Sequence, residues 1–576
     1  MTDASAGRLV HRRPSGYQQS MAARQKKSNA PPAGTSARSA QSARSASGAD
    51  DRSDGERADR SGTSRSSKTV AKATRHAEIE TKLEIAPETP LPDLTGRRKL
   101  ASAGVATAAE PLTFRLDATY YDTTDLDLLR SKMTLRRRTG GTDAGWHLKL
   151  PAISGARTEV GLPLAAGEPG EVPAELADLV RGAARGRALR PVARLVNDRT
   201  VRHLLDADGR TLVEIADDHV QATPLDGRPT EPSQWREVEV EMVDGTVDQL
   251  SVTVDLLIAA GARKASSASK LARALAVPTR APARRSRAAG SAVINALGRQ
   301  RDMLITADRG LREETDVAVH DARAAARRIR AMLTVYAPLF DGRAVPDLRS
   351  GLRSLGSTLS AARDLEVAQR RLLAQLFDEP EAYADPARSR LHEAFGGRAA
   401  TARTQIAALI GSKAYLHLLR DLDGFVDRPT LSRRGQGAAA TELPDLIGGA
   451  WLELRELADV ALADPGNVPA VHKVRKSAKT MRYATEAAIG ALGSDAVVFA
   501  SALEEIQETL GEFHDAGTAA AFLAEFALED RTAGVAGFTF GRLHAFEQAM
   551  AHGAFDEFSD AWDRVEDGDL VAALER

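Results

Sequence analysis

The sequence predicts a multidomain protein. An N-terminal α+β domain is built on an antiparallel sheet closed around a polar interior, and an all-α domain of two similar units follows. Three observations predict it. Between about residues 76 and 276, short runs alternate charged with aliphatic residues, which is the period of a strand. From about residue 290 onward the apolar period becomes helical. Within that helical part a cationic motif recurs at the same spacing: His320, Arg323, Arg327 and Arg330 find counterparts in His472, Arg475, Lys479 and Arg482.

A chain of 576 residues exceeds one typical core, so two or three domains are expected. The 43% apolar share is adequate for globular domains, while aromatics at 4% favour Ala/Leu-rich helices over sandwiches. A net charge of −1 alone predicts no membrane or nucleic-acid affinity. With no cysteine, disulfides, thiolate metal sites and cysteine nucleophiles are excluded. No apolar run approaches the ~18 residues of a membrane span and the N-terminus lacks a signal-peptide core, so a soluble cytoplasmic protein is expected. Residues 1–72 are rich in Ser, Ala, Gly, Arg and Lys and read as a disordered basic tail, because they cannot bury enough apolar surface to fold.

In chain order, the candidate strands are Ala77–Ile85, Thr113–Tyr121, Thr134–Arg138, Gly145–Leu150, Leu195–Leu204, Thr211–Val220 and Trp235–Val243. Pro173–Arg181 and Thr246–Gly261 read as helices. On the first strand Glu78, Glu80 and Lys82 share one face, with Ile79 and Thr81 on the other. Such a row cannot sit in an apolar core. It can line a wet cavity where carboxylates hold a divalent metal and the lysine meets phosphate oxygens. Further strands carry the same signal: Arg136 and Arg138, Lys149, Arg199, Glu214 and Asp218, then Glu237, Glu239 and Glu241. Lys270 closes the set just past the last helix. A solvent-facing strand explains one such row. Several rows, with Val, Ile and Leu at the alternate positions, need an outer core and describe a barrel or tunnel with a polar lumen. Cations that grip phosphate oxygens, beside acids that suit magnesium, fit cleavage or transfer at a chain of phosphates. The metal would orient or activate the attacking water.

Residues 76–276 resemble the CYTH family, the triphosphate tunnel metalloenzymes. The resemblance rests on Glu78-x-Glu80-x-Lys82, on Tyr121-Asp122-Thr123 followed by Leu135-Arg136-Arg137-Arg138, on Trp146 to Pro151, and on Arg199, Glu214, Asp218, the Glu237/Glu239/Glu241 strand and Ser269-Lys270 in order. The resemblance implies an eight-stranded tunnel that binds a triphosphate with Mg²⁺ or Mn²⁺. By the same resemblance, Lys82, Arg136, Arg138, Lys149, Arg199 and Lys270 hold phosphates, and Glu78, Glu80, Glu239 and Glu241, with Asp218, lie on the metal side. Glu78, Glu80 and Lys82 would then carry catalysis. Which two of the three late glutamates meet metal is open. His147 stands where a less bulky polar residue is expected.

Residues 278–289 read as a linker, and the helical part breaks near Pro429–Gly437. Spacings of 3, 4 and 3 place His320, Arg323, Arg327 and Arg330 on one helix face, and His472, Arg475, Lys479 and Arg482 on another. Arg328 and Lys476 widen these stripes. Asp364 and Asp515 are candidate partners, but two acids cannot neutralise this many cations. The surplus suits a long polyphosphate better than a base-specific nucleic acid, since stacking aromatics are nearly absent from the stripes. These motifs, with Leu359 to Asp364 and Leu510 to Asp515, resemble the CHAD family, the conserved-histidine α-helical domain. That resemblance implies two four-helix bundles, about 290–428 and 440–565, with a basic channel for inorganic polyphosphate.

Together these features predict a metal-dependent inorganic triphosphatase with a polyphosphate-binding domain, cytoplasmic and suited to polyphosphate granules. The alternatives are a non-catalytic polyphosphate binder, or adenylyl cyclase or thiamine triphosphatase activity in the barrel.

Overall fold

The computed structural model describes residues 74–151, 157–225, 227, 231–267, 269–277, 287–529, 534–567 and 570–574. The expected tail (1–72) and most of the expected linker (278–286) lie outside the described residues.

Eight long strands form the N-terminal sheet: β1 (Thr74–Glu84), β2 (Leu112–Asp122), β3 (Thr134–Thr139), β4 (Gly145–Lys149), β5 (Arg157–Pro163), β6 (Arg190–Leu205), β7 (Thr211–Pro224) and β8 (Ser233–Met242). Neighbours run β1–β5–β4–β3–β2–β6–β7–β8, and β8 pairs back onto β1, so the barrel closes with every pairing antiparallel. Closure removes the exposed sheet edges. The strand β5 was not read from the sequence.

Alternation along each strand sorts the side chains between two environments. Leu83 of β1, Val213 and Ile215 of β7, and Val238 and Val240 of β8 point outward and are buried. They lie beneath Leu250, Val254 and Leu257 of helix α1 (Val247–Ala259). Each such side chain contributes roughly 1.5–3 kcal/mol on full burial. A capping box starts α1: Gln249 N–H donates to the Thr246 hydroxyl at 3.4 Å, and Thr246 N–H donates to the Gln249 side chain at 2.8 Å. Helix α2 (Lys270–Ala274), capped by Ser269, packs Leu271 and Ala274 against Tyr120 and Trp235 at one end of the barrel. Its first residue, Lys270, is thereby aimed into the lumen.

The helical part runs α3 (Ala289–Arg312), α4 (Asp316–Val335), α5 (Ala344–Gln375), α6 (Glu381–Gly411), α7 (Lys413–Asp427), α8 (Ala439–Ala463), α9 (Val468–Leu492), α10 (Ser494–Glu529) and α11 (Val535–Asp567). The chain leaves α7 at Arg428 and re-enters helix at Ala439, with one short turn, Arg433–Gln436, between them. The helices before this break, α3 to α7, and those after it, α8 to α11, share one core. Leu297, Ile329 and Leu355 belong to the same buried cluster as Ile447, Val474, Leu503 and Phe558. Tyr336, just past α4, is fully buried and donates its hydroxyl to Ala484 O on α9 at 2.8 Å. A further cluster interlocks the far ends, where Phe395 and Phe522 stack with centroids 4.3 Å apart.

The barrel and the helices are packed together. Ile305 of α3 joins the outer barrel cluster of Leu135, Trp146, Leu148 and Val160. Arg185 donates Nε and Nη2 to the two carboxylate oxygens of Asp423 at 2.6 and 3.0 Å, a bidentate pair across the interface. Among the described residues no helix is long and apolar enough to cross a membrane.

Candidate active site and cationic face

Inward positions of the barrel converge on a cavity of about 1690 Å³. Its lining includes Glu78, Glu80, Lys82, Arg136, Arg138, Lys149, Arg199, Glu239, Glu241 and Lys270. The strand register explains the convergence. Lys82 lies opposite Glu239, Glu80 opposite Glu241, Glu241 opposite Glu214, and Arg199 opposite Asp218.

Two groups of acids differ in their charge balance. The ligand oxygens of Asp218, Glu237 and Glu239 lie within 4.8 Å of one another, close enough to share a metal. Those carboxylates are already gripped: Lys270 Nζ lies 2.9, 2.7 and 2.8 Å from Asp218, Glu237 and Glu239. Arg199 bonds Asp218 at 2.7 Å and Glu239 at 2.6 Å, and Lys82 also donates to Glu239. Despite burial, these cations hold Asp218 and Glu239 below the usual carboxylate range. The second group is the row Glu78, Glu80, Glu241 and Glu214. Glu241 makes no ion pair with a described residue, and burial together with Glu78, Glu214 and Glu80 pushes it up to about 7. Glu78 is raised by burial and by Glu159 and Glu80, although Lys149 bonds it at 2.6 Å. Lys149 on Glu78 and Lys82, 3.3 Å from Glu80, leave this row less compensated than the first, and a row of hard oxygen donors with Glu241 in no ion pair fits a divalent magnesium or manganese ion better than the lysine-filled group does.

On the opposite wall Arg136 is raised against its burial by Tyr120, Glu159 and Glu239, with Glu159 4.0 Å away, while Arg138 is lowered. Arg138 is 5% exposed and pushed down to about 9 by burial, Arg136 and Arg199. The Nε atoms of Arg136 and Arg138 are buried without an acceptor. Arg138 also pairs with Asp143 at the end of the barrel away from α2.

One lumen residue, Glu159, was not read from the sequence. Glu159, on β5, accepts from His147 Nδ1 at 2.5 Å and meets Lys149 at 3.3 Å. Buried beside His147, Arg136 and Lys149, it is held far below its ordinary value. His147 therefore fills its position as a partner of Glu159, with Nε2 bonded to Asp143 O at 2.9 Å. Asp122 has a structural place: fully buried, it accepts N–H bonds from Thr123, Leu128 and Leu129 at 2.7, 2.9 and 3.0 Å.

On the helices, α4 and α9 pack together and bring both motifs to one region. Arg323 donates to Asp364 at 3.1 Å. Burial, then Arg327 and Arg475, push Arg323 down to about 10, and burial with Arg475, Arg327 and Arg323 pushes Lys479 down to about 6. Arg475 is lowered by burial and Arg327, against the pull of Asp515, and its Nε is buried without an acceptor. Arg330 is lowered by burial, Arg327, Arg353 and Arg349, so α5 adds cations that the motif alone did not reveal. His514 of α10, also missed, lies 5.2 Å from His472 between ring centroids and is pushed down to about 3 by burial and the neighbouring cations. His320 and Lys476 are exposed. Arg328 and Arg482 differ from the rest. Each lies over the Tyr483 ring and meets Glu486, at 3.6 and 3.4 Å, and Arg482 also pairs with Glu504.

A CYTH domain profile matches residues 76–275, and a CHAD domain profile matches residues 295–524. Two curated relatives, uncharacterized proteins MT2285 and Rv2226 of Mycobacterium tuberculosis strains CDC 1551 and H37Rv, are each 35% identical over 504 residues. The alignments span 83% of this chain and 94% of theirs. Among solved structures, PptA from Streptomyces chartreusis is 24% identical over 48% of this chain and 99% of its own, with a TM-score of 0.42. The CHAD domain of the plant Ricinus communis is 23% identical over 48% of this chain and 91% of its own, TM-score 0.39. HpAC1 of Hippeastrum, described as an adenylyl cyclase candidate with a dominant triphosphatase activity, is 17% identical over 36% of this chain and 98% of its own, TM-score 0.21. With both profiles matched in order and relatives aligned across most of its length, this chain belongs to the proteins that join a CYTH domain to a CHAD domain.

Proposed function

We propose that the barrel hydrolyses inorganic tripolyphosphate with a divalent metal, and that the helical part binds polyphosphate. The observation that carries the first reading is the division of the lumen. Within the row Glu78, Glu80, Glu214 and Glu241, Glu241 makes no ion pair with a described residue and is pushed up by burial and by the other three acids, while Arg136 and Arg138 have buried Nε atoms that lack acceptors. A metal and a phosphate chain would together relieve both.

Glu78, Glu80 and Glu241, with Glu214, would hold magnesium or manganese, which supplies Lewis acidity and an activated water when bound. Arg136, Arg138 and Lys149 bind the phosphate oxygens and fix the chain along the lumen. Lys82, Arg199 and Lys270 grip Glu239 in the free protein. They are positioned to exchange part of that contact for phosphate and to neutralise the charge that gathers on the leaving oxygens. Asp218 and Glu239 act in this scheme as anchors for those cations and do not serve as the first metal ligands.

The reading of the helical part rests on Arg323, Lys479 and Arg475, which burial and one another hold below their usual ranges. A polyanion on that face would offset their repulsion, and the binding would weaken steeply with salt. Residence on polyphosphate granules follows from the same property.

The test is release of phosphate by the purified chain with Mg²⁺ or Mn²⁺ from tripolyphosphate, ATP or thiamine triphosphate, with cyclic AMP measured alongside. Release from tripolyphosphate above the other two supports the proposal. Cyclic AMP identifies a cyclase, and silence with all three substrates identifies a binding protein.

A further inference from the structure

The cavity does not end with the barrel. Its lining continues past Thr134 to Lys132, Ser131 and Arg130, and then onto α3 and α7 of the helical part. There Asn295, Gly298, Arg299, Arg301 and Asp302 of α3 line it together with Val426 and Asp427 of α7, the two helices being in contact through Arg301 and Asp427 at 3.2 Å. Neither CYTH strands nor the CHAD motif residues form this wall. It is held in place by the packing of Ile305 and by the Arg185–Asp423 pair described above. An object too long for the lumen would leave through this opening.

The charges around the opening are unequally used. Arg301 lies 3.0, 3.5 and 3.2 Å from Asp302, Asp423 and Asp427. Arg130 reaches Asp427 at 3.6 Å, and Arg185 is taken by Asp423. The acids named here are therefore occupied by these three arginines. Lys132 and Arg299 also line the opening, are exposed, and bond to no acid among the described residues. They come from different domains. Lys132 sits in the turn that precedes β3, with φ +59°, and lines the cavity beside Ser131 and Arg130.

We propose that Arg299 of the helical part and Lys132 of the barrel form a two-domain lip. The lip holds the portion of a linear phosphate chain that projects beyond the triphosphate in the lumen. The inference rests on the triphosphatase reading and specifies its substrate class: linear phosphates longer than three units are favoured over tripolyphosphate. A cation on an exposed rim suits this role, because phosphate units are identical and a point charge needs no fixed geometry to hold any one of them. Arg301, already shared among three acids, positions α3 and α7 and does not belong to the lip.

The test compares the full-length chain with an Arg299→Ala/Lys132→Ala double variant, on tripolyphosphate and on a longer linear oligophosphate. In the variant, KM for the longer chain is expected to rise roughly three- to tenfold more than KM for tripolyphosphate, with little change in kcat. A conservative Arg299→Lys/Lys132→Arg variant should keep the preference, because the charges remain. Equal changes on both substrates, or none on either, overturn the lip. If the unaltered chain hydrolyses neither substrate, the triphosphatase reading fails, and calorimetric binding of the two phosphates to the same proteins still decides the lip. The cationic face of the helices is common to both proteins, so a loss confined to the longer chain in the variant supports the lip. Identical isotherms overturn it.

Discussion

Single residues here are tuned by what surrounds them more than by their type. Glu239 meets Lys82, Arg199 and Lys270 and stays ionised, while Glu241, two positions along the same strand, is pushed up to about 7 by burial and then by neighbouring carboxylates. Lys479 is the cationic counterpart. Burial and three arginines push it down to about 6 from an ordinary value of 10.5. Between those values the unfolded chain carries a proton on this lysine that the folded chain does not. Its contribution to stability therefore rises with pH across that window. A bound polyanion acts in the opposite direction by favouring the ammonium. Polyphosphate binding should take up about one proton near neutral pH and tighten as pH falls from about 8 toward 6. Calorimetry in two buffers of different ionisation enthalpy checks this. The uptake should be lost in Lys479→Met, and binding with no proton uptake would contradict the account.

At the scale of the element, the strand period decides what each substitution does. Leu83 is fully buried outside β1, and Lys82 beside it points into the lumen. Leu83→Ala should cost about 2–5 kcal/mol in denaturant unfolding. Lys82→Ala should weaken tripolyphosphate turnover while leaving the unfolding midpoint nearly in place, and the reverse pattern would mean the strand faces the other way. The same period made most of the barrel legible in the sequence, because the charged rows of β1, β3, β7 and β8 each repeat over several positions. β5 escaped because Arg-Thr-Glu-Val-Gly-Leu-Pro carries a glycine and a proline that read as a turn. Its alternation was nonetheless present: Val160 and Leu162 are buried outward, and Glu159 lines the lumen. In the helices the motif spacing located the cationic face. It could not show that Arg328 and Arg482 share Glu486, because α4 and α9 meet only in the folded core. Nor could one motif announce Arg349, Arg353 and His514, which arrive on other helices.

For the whole molecule, the two domains are physically continuous. Ile305 completes the barrel's outer cluster, and the lumen opens against α3 and α7. That contact was not legible in the sequence, since neither family motif includes the residues that form it. The central claim concerns the barrel: its inward acids and bases form a metal-dependent site for triphosphate, separate from the cationic face of the helices. The most direct measurement is phosphate release from tripolyphosphate with Mg²⁺ or Mn²⁺ by the full chain and by a Glu78→Gln/Glu80→Gln variant, with polyphosphate binding followed in the same samples. The account predicts release by the unaltered chain, a loss of at least about 100-fold in the variant, and unchanged polyphosphate binding. A variant that turns over tripolyphosphate as fast as the unaltered chain would contradict it.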